Sequence, residues 1–280
     1  MFYSPLRYPG GKNRLSKFIS EICVNNNITG HYVEPYAGGA SVALTLLIEK
    51  KVSQISINDF DRSIYAFWYS ILYRTNQFCK MIENVNVNID EWHFQKAVQK
   101  NKKEESLIRL GFSTFFLNRT NMSGIINAGP IGGYKQNGTY KLDCRFKKAD
   151  LIKRIKLIAS HKKNITLFNL DAIELIKEIK KTSDASNTIF YFDPPYYLKG
   201  PSLYLNSYND DGHIKVANEI RKLTKFNWIV SYDNVNEINS IYQWAKKKIA
   251  FTLTHNAYKP REGKEVLYFS KNLKISKLTI

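Results

Sequence analysis

An acid, two prolines and an aromatic residue stand together in the stretch DPPY at 193–196, directly after an apolar, β-prone run at 188–192. Proline fixes φ and carries no backbone N–H, so neither a helix nor a central strand can continue through the pair. The strand should therefore end in a rigid turn that presents the Asp193 carboxylate, exposed carbonyls and the Tyr196 ring toward one point. This set suits an amino group on a planar base, because acceptors bind its N–H bonds and a ring stacks on its face. Taken alone, DPPY is also compatible with a strand followed by a structural Pro-Pro loop.

A second cluster lies between an early strand and helix. YVEPY at 32–36 is typical of a short strand, 37–39 of a turn and 40–49 of an apolar helix, and the strand at 54–58 closes with Asp59. In this βαβ unit Gly38 would let the backbone approach a ligand, and an acid about 20 residues further on is where a ribose-binding carboxylate lies. Neither GxGxxG nor a Walker lysine motif is present, which favours a nucleoside-bearing cofactor without a critical pyrophosphate. Alone, an ordinary turn with a surface acid would be the simpler interpretation.

The N-terminal stretch PLRYPGGKNR at 5–14 forms a third cluster, in which glycines and a proline position Arg7, Tyr8 and Lys12. Tyr8 could pack on a cofactor, and Lys12 could approach the carboxylate of that cofactor. Taken alone, the segment would more simply be a basic N-terminal arm.

The order of elements predicts an α/β domain interrupted by an insert. After the βαβ unit, the hydrophobic period becomes helical at 64–72, 91–98 and 106–117, and residues 119–146 are irregular and rich in Asn and Gly. From residue 150 the α/β rhythm resumes: strands are expected at 165–168, 188–192 and 227–231, and helices at 172–180, 213–223 and 235–244. Two last strands, at 248–254 and 265–269, predict an antiparallel hairpin at a sheet edge. Residues 1–61 and 151–280 would form one domain, and 62–150 a mainly helical, basic insert.

Composition limits the class of protein. The 280 residues are 44% hydrophobic, enough for a substantial core, and the net charge of +18 favours a polyanionic partner, although a Lys-rich proteome would also give it. Three cysteines without a CxxC pair fit a reducing compartment, and five scattered histidines predict no metal site. No apolar stretch approaches a membrane span and no signal-peptide pattern is present, so a soluble, cytoplasmic protein without a membrane partner is expected.

Together the three clusters resemble the Dam-type, D12-class DNA adenine N6-methyltransferases, in which a glycine motif, a recognition insert and DPPY follow in that order. The resemblance covers nearly the whole chain, and its parts are PLRYPGGK at 5–12, YVEPYAGGA at 32–40, the acid in SINDFD at 56–61, LNRTNMSG at 117–124, FYFDPPY at 190–196 and VSYDN at 230–234. It implies a mixed seven-stranded, Rossmann-like methyltransferase sheet with helices on both faces, formed by 1–61 and 151–280, and a target-recognition domain at 62–150.

The resemblance also implies the reactants and the site. S-adenosylmethionine would donate the methyl group, and an adenine flipped out of double-stranded DNA would accept it. The implied cofactor-binding residues are Tyr8, Lys12, Gly38, Asp59 and Asp193. The implied catalytic residues, which bind the amino group and stack on the base, are Asp193, Pro194 and Tyr196. The implied DNA-binding residues are Arg7, Arg119 and Asn121. A cognate restriction endonuclease is a further conceivable partner.

The chemistry expected at this site is positioning. The N6 atom of a paired adenine is out of reach, so the base would leave the duplex. Acceptors at Asp193 and at the Pro194 carbonyl would bind both N–H groups, with no metal or covalent intermediate. For Tyr196, we expect the ring face to matter more than the hydroxyl.

Two departures from the family pattern and two alternatives remain. Ala40 replaces the second glycine of the cofactor turn and adds a Cβ there, and residues 120–140 lack the sequence expected of GATC-specific members, so the recognition sequence is left open. The alternatives are an amino-methyltransferase acting on cytosine N4 or on RNA adenine, and a catalytically inactive DNA-binding protein.

Overall fold

The computed structural model describes residues 2–7, 12–198, 208–255 and 261–278. The chain divides into two compact units. Residues 12–60 and 164–280 form what we call the sheet unit, and residues 1–11 and 61–163 form the helical unit.

The sheet unit contains a mixed sheet of seven strands in the order β3-β2-β1-β4-β5-β7-β6. The strands are β1 His31–Glu34, β2 Gln54–Asn58, β3 Ile165–Phe168, β4 Thr188–Phe192, β5 Asn227–Asp233, β6 Lys247–His255 and β7 Arg261–Phe269. β1 to β5 pair in parallel, and β7 runs antiparallel between β5 and β6. The predicted mixed seven-stranded sheet and its edge hairpin are confirmed. Because parallel strands share a direction, the ends of β1, β2, β4 and β5 meet at one edge of the sheet.

The described helices alternate with these strands and then accumulate between β2 and β3. They are α1 Ser16–Asn25, α2 Ser41–Ile48, α3 Arg62–Tyr73, α4 Thr75–Asn84, α5 Ile89–Lys100, α6 Leu107–Thr120, α7 Lys148–Ser160, α8 Ala172–Thr182, α9 Asp210–Arg221 and α10 Asn236–Ile241. Among the residues that the structure describes, no helix is long and apolar enough to cross a membrane.

Helices cover both faces of the sheet. Neighbouring residues of a strand point to opposite faces, and on β7 the Phe269 ring lies 6.3 Å from the Phe18 ring of α1. Tyr268 instead stacks at 4.9 Å on Tyr242, which directly follows α10. The second face continues into a core with α8 and α9. The central strands β1, β4 and β5 are therefore buried on both sides, whereas the edge strand β6 is largely exposed.

The helical unit has an aromatic core of its own. The Phe67 ring of α3 and the Phe115 ring of α6 stack at 6.1 Å, and the Phe78 ring of α4 packs edge-on against Phe115 at 5.6 Å. Helix α7 packs against α3 and α4. These contacts explain why a basic segment with many lysines still folds compactly.

The two units differ in extent from the expected domains, 1–61 with 151–280 and 62–150. Helix α7 belongs with the helical unit, because it buries Leu151, Ile155 and Ile158 against helices of the insert. Residues 1–11 also belong there, since the backbone N–H of Arg7 donates to Asn118 Oδ1 of α6 at 2.7 Å. Which unit binds cofactor and which binds DNA stays a prediction at this point.

Candidate active site

The turn 193–196, which we call the DPPY turn, follows β4 at the edge where the parallel strands end. All five residues of β4 are buried, and the regular strand stops at Phe192, immediately before Asp193 and the two prolines. The expected strand and its end at the prolines are thus present. Asp193 is the first residue to leave the sheet, and 20% of its side chain is exposed.

The Asp193 carboxylate is held by two partners. Lys12 Nζ lies 3.1 Å from Oδ1 and 3.3 Å from Oδ2. The Ser231 hydroxyl of the adjacent strand β5 donates to Oδ1 at 2.6 Å. Phe192 pairs with Val230 across β4 and β5, so the register brings Asp193 and Ser231 to the same level. The carboxylate is therefore oriented from the core side while its other side faces outward.

Tyr196 is buried beneath the same lysine. Lys12 Nζ lies 4.7 Å from the centroid of the Tyr196 ring and donates to the Tyr196 hydroxyl at 2.6 Å. That hydroxyl in turn donates to Glu265 Oε1 of β7 at 2.6 Å. Lys12, Tyr196 and Glu265 are each no more than 4% exposed. A buried ammonium is costly unless it is paired, and here the carboxylate of Asp193, the hydroxyl and the nearby Glu265 surround it.

The backbone that follows the DPPY turn is fixed by a second acid of β5. The N–H groups of Tyr197 and Leu198 donate to the two carboxylate oxygens of Asp233, each at 3.0 Å. Asp233 is the last residue of β5 and is buried.

The expected cofactor turn lies at the end of β1. Gly38 has φ of +45°, and its N–H donates to Asp59 Oδ2 at 3.0 Å. Ala40 has φ of +46°, in the left-handed region that glycine favours, which costs an alanine roughly 1 kcal/mol. Ala40, which stands where the family has a glycine, thus keeps a glycine-like backbone conformation at the cost of strain. The side chain of Asp59, beside a glycine that permits close approach, fits the diol of a ribose-bearing group.

Glu34, the last residue of β1, is a buried acid to which the sequence motifs give no role. Its Oε1 accepts the Tyr32 hydroxyl at 3.0 Å and the Ala43 N–H at 3.1 Å. Burial raises the pKa of the Glu34 carboxyl to about 8, and the charge of Asp193 adds to that rise. The Glu in YVEPY could have been recognised as an acid next to a ligand turn, although its depth in the core could not.

We expect the free energy of unfolding of Glu34→Gln, relative to that of the native chain, to increase as pH rises from about 5 to 8. In this window the unfolded carboxyl, with a pKa of about 4.3, has lost its proton while the folded one keeps it. The folded state therefore binds more protons, so the native free energy of unfolding falls by up to about 1.4 kcal/mol per pH unit. Above about pH 8 both states are ionised and the slope ends. Urea unfolding at pH 5, 7 and 9, with the partly exposed Glu178→Gln as control, measures this; a pH-independent difference would contradict it.

Of the expected DNA-facing residues, Arg7 and Arg119 lie together in the helical unit. The side chain of Arg119 donates to the Arg145 carbonyl and, at 3.4 Å, to the Pro5 carbonyl. Burial, followed by the charges of Arg7 and Arg154, lowers the Arg119 pKa to about 10. Burial and then Arg145 lower the pKa of Arg7. Both guanidiniums are only partly buried, and among the described residues near Arg119 the other arginines outnumber the one acid, Asp150, so an anion would relieve their mutual repulsion.

Asn121 has a different environment from the one expected of a DNA contact. Its side chain is fully buried, its Oδ1 accepts the Trp92 indole N–H at 2.6 Å, and its Nδ2 donates to the carbonyls of Ile125 and Ile126. Direct contact of this amide with DNA does not fit its burial, because both of its ends are engaged inside the helical unit. Asn121 instead fixes the start of the Asn-rich loop.

Tyr8, the remaining expected cofactor residue, lies outside the described residues. Within the described ranges, no group of three or more His, Cys, Asp or Glu side chains is arranged to hold a metal ion. The sheet unit thus brings Lys12, Asp193 and Tyr196 into one network, and Gly38 with Asp59 into another.

Comparisons with known proteins agree with this chemistry. The family model of the D12 class N6 adenine-specific DNA methyltransferases matches residues 8–255. The type II methyltransferase M.MjaIII of Methanocaldococcus jannaschii is 26% identical over 242 residues, covering 79% of this chain and 80% of that protein.

Two solved structures of methyltransferases are also similar, at low identity. The putative RNA methyltransferase PH1948 from Pyrococcus horikoshii has 10% identity and a TM-score of 0.42, covering 92% of this chain and 84% of its own. The rRNA methyltransferase aviRa from Streptomyces viridochromogenes has 8% identity and a TM-score of 0.39, covering 94% and 86%. At these values neither structure bears on the substrate of this chain.

Proposed function

The chain belongs to the D12 class of N6 adenine-specific DNA methyltransferases, and from this membership we propose that its DPPY turn receives an adenine rotated out of the duplex. The enzyme methylates adenine in DNA with S-adenosylmethionine as the donor. The observation that carries the proposal is the Asp193 carboxylate, held from the core side at the end of β4 and partly exposed on its other side. A base inside the stack could not reach such a site.

The proposed chemistry is orientation of the amino group. When bound, the cofactor supplies an electrophilic methyl group. The Asp193 carboxylate and the Pro194 carbonyl accept the two N–H bonds of N6, which draws its lone pair out of conjugation with the ring. In the structure Lys12 Nζ occupies the acceptor positions of Asp193, at 3.1 and 3.3 Å. We infer that the arriving amino group takes over at least one of these positions.

For the donor, we propose a site at Gly38, Asp59, Lys12 and Asp193. The support is the hydrogen bond from the Gly38 N–H to the Asp59 carboxylate, which ties an acid to a turn where Gly38 has a positive φ.

We expect Asp59→Ala to weaken S-adenosylmethionine binding by about 1–3 kcal/mol, the value of a hydrogen bond to a charged group. Asp59→Asn is the matched control for the turn itself, because its amide oxygen can still accept the Gly38 N–H. Calorimetry should therefore give a smaller loss for Asn than for Ala. Unchanged affinity in Asp59→Ala would reject the assignment.

The helical unit is our proposed DNA-binding part, with Arg7 and Arg119 as phosphate contacts. Support comes from the mutual repulsion of the arginines around Arg119, which an anionic backbone would neutralise. Binding of this kind releases counterions, so DNA affinity should fall steeply with salt. Asn121 would contribute by shaping its loop rather than by touching DNA.

Replacing Arg119 with methionine should lower DNA affinity about 5- to 10-fold and reduce the salt slope by about one ion. Cofactor affinity should stay within about 2-fold. Arg109→Met is the control, since Arg109 lies on the same helix α6 and its side chain is 53% exposed. Anisotropy titrations at several salt concentrations measure both variants. Equal losses in DNA and cofactor affinity would show that Arg119 acts through the core.

The test of the whole proposal is the product. Mass spectrometry of digested DNA should find N6-methyladenine, and a fluorescent 2-aminopurine at the target position should brighten on binding if the base leaves the stack. N4-methylcytosine as the main product, or transfer to RNA alone, would overturn the substrate assignment.

A cognate restriction endonuclease is part of our proposal, because the relative M.MjaIII is named a type II methyltransferase. Base-resolution mapping of methylated DNA gives the recognition sequence, and nuclease activity in host extract that spares only methylated copies of it would identify the partner. The DNA substrate favours a cytoplasmic location.

A further inference from the structure

Two buried polar side chains of β5 hold the DPPY turn: Ser231 bonds its first residue, Asp193, and Asp233 bonds the backbone directly after it. They are two positions apart in a strand, so both side chains leave the same face of the sheet. They belong to the segment VSYDN at 230–234. Neither is placed to act on a substrate directly, because each already bonds the turn that carries the proposed catalytic groups.

Ser231 is the last link of a short hydrogen-bond chain. The hydroxyl of Tyr191 donates to Ser231 Oγ at 3.0 Å, and Ser231 Oγ donates to Asp193 Oδ1 at 2.6 Å. The Phe192 carbonyl, at 3.4 Å, is a weaker acceptor for the same hydrogen. Because Tyr191 supplies a donor, the single Ser231 hydrogen is directed to the carboxylate. Tyr191 and Ser231 are both almost wholly inaccessible, so the chain orients Asp193 from inside the protein.

Asp233 closes the backbone on the other side. Two successive prolines remove two N–H donors, so the turn cannot tie itself down through them. Directly after the DPPY turn, the N–H groups of Tyr197 and Leu198 both donate to Asp233 at 3.0 Å. One carboxylate thus anchors the segment directly behind Tyr196.

We propose that Ser231 and Asp233 are positioning residues for methyl transfer: Ser231 aims the Asp193 carboxylate, and Asp233 holds the backbone that carries Tyr196. The inference rests on the proposed roles of Asp193 and Tyr196. Since small misplacements of a reacting pair cost much rate, loss of either bond lowers kcat more than it lowers cofactor affinity or stability.

The first experiment compares Ser231→Ala with Ser56→Ala. Ser56 is also a buried serine of the same sheet, on β2, where its hydroxyl bonds His31 instead of the turn. Ser231→Ala should lower kcat about 10- to 100-fold, with the KM for S-adenosylmethionine and the melting temperature close to native. Ser56→Ala should keep the native kcat. A native kcat in Ser231→Ala, or a loss of kcat that only follows the folded fraction, would overturn the role of Ser231.

Tyr191→Phe supplies a second route to the same answer that leaves Ser231 in place. It should lower kcat less than Ser231→Ala does, and it should have no further effect in the Ser231→Ala background, because its action passes through Ser231. Independent, multiplying losses would show that Tyr191 and Ser231 are not one chain.

Asp233→Asn tests the backbone anchor, since an amide offers one acceptor oxygen where the carboxylate offers two. We expect kcat to fall about 10-fold, and Asp184→Asn, which changes an exposed acid before the start of β4, to leave kcat unchanged. Native kcat in Asp233→Asn would overturn the anchor. If the native enzyme makes no N6-methyladenine, the proposed function is refuted. If the native enzyme is active and the Ser231 and Asp233 variants keep its kcat, only this inference is refuted.

Discussion

Asp193→Ala should abolish methyl transfer, with a fall in kcat of at least about 1,000-fold, or roughly 4 kcal/mol in the barrier. The carboxylate is the proposed acceptor for the amino group. Loss of the carboxylate also removes one partner of the buried Lys12, while Glu265 and Tyr196 remain around that ammonium. The fold should therefore persist.

Asp193→Asn separates charge from shape. The Asn amide has about the volume of the carboxylate, but one of its two polar atoms is a donor instead of an acceptor. Because the Lys12 ammonium and the substrate amino group are both donors, one of them would then face another donor. We expect a loss nearly as large as that of alanine. Single-turnover transfer of labelled methyl groups measures both variants, with Asp184→Ala before β4 as a control for removing an acid. Near-native turnover in either Asp193 variant would contradict the proposed role of the carboxylate.

The turn itself could be predicted from sequence because its signal is local. Two prolines stop a strand whatever lies around them, and the apolar run before them has the length of a buried strand. The same holds for the βαβ unit, whose turn and closing acid follow from local pattern and spacing; the hydrogen bond from the Gly38 N–H to Asp59 is visible only in the structure.

The partners of the turn could not be predicted, since they come from strands far away in the chain. Ser231, Asp233 and Glu265 reach the turn only through the register of β4, β5 and β7. VSYDN contributed to the family resemblance, yet nothing in its own residue pattern indicates which side chain faces Asp193. Pairing across a sheet is set by tertiary packing, which a single sequence does not display.

Helices α4 and α7 were not predicted from the sequence, for different reasons. Helix α4 buries only Phe78, Cys79 and Ile82 within ten residues, so its apolar period is short. Helix α7 has a clear apolar stripe, but it stands where the α/β rhythm resumes, and its place with the helical unit follows from packing against α3 and α4. The expected domain boundary near residue 150 therefore differs from the extent of the compact units.

The burial of Asn121 has a similar cause. A polar residue in an Asn-rich loop is ordinarily exposed, whereas the family resemblance, from which Asn121 was expected at the DNA, carries no information on the burial of its side chain. Its three side-chain hydrogen bonds to Trp92, Ile125 and Ile126 provide the compensation that a buried amide needs.

Tyr196 is the residue for which the structure most changes the expected result. From sequence, the ring face should matter more than the hydroxyl, so Tyr196→Phe would keep much of the activity. In the structure the hydroxyl accepts from Lys12 and donates to Glu265, each at 2.6 Å, and all three residues are buried. A hydrogen bond to a charged group contributes about 1.5–3 kcal/mol, comparable to the 1–3 kcal/mol of base stacking on an aromatic ring.

We therefore expect Tyr196→Ala to lower kcat at least about 100-fold and Tyr196→Phe about 10-fold. Alanine removes the ring and both bonds, whereas phenylalanine removes only the bonds and releases Lys12 from the position that it holds over the ring. Tyr197→Phe is the matched control, because its backbone N–H bonds Asp233 and its ring lies against His213, so its hydroxyl takes no part in the Lys12 network. Steady-state kcat and KM for DNA decide the matter. Native activity in Tyr196→Phe would return the role of Tyr196 to its ring face, and equal losses in the two Tyr196 variants would mean that stacking contributes nothing to the rate.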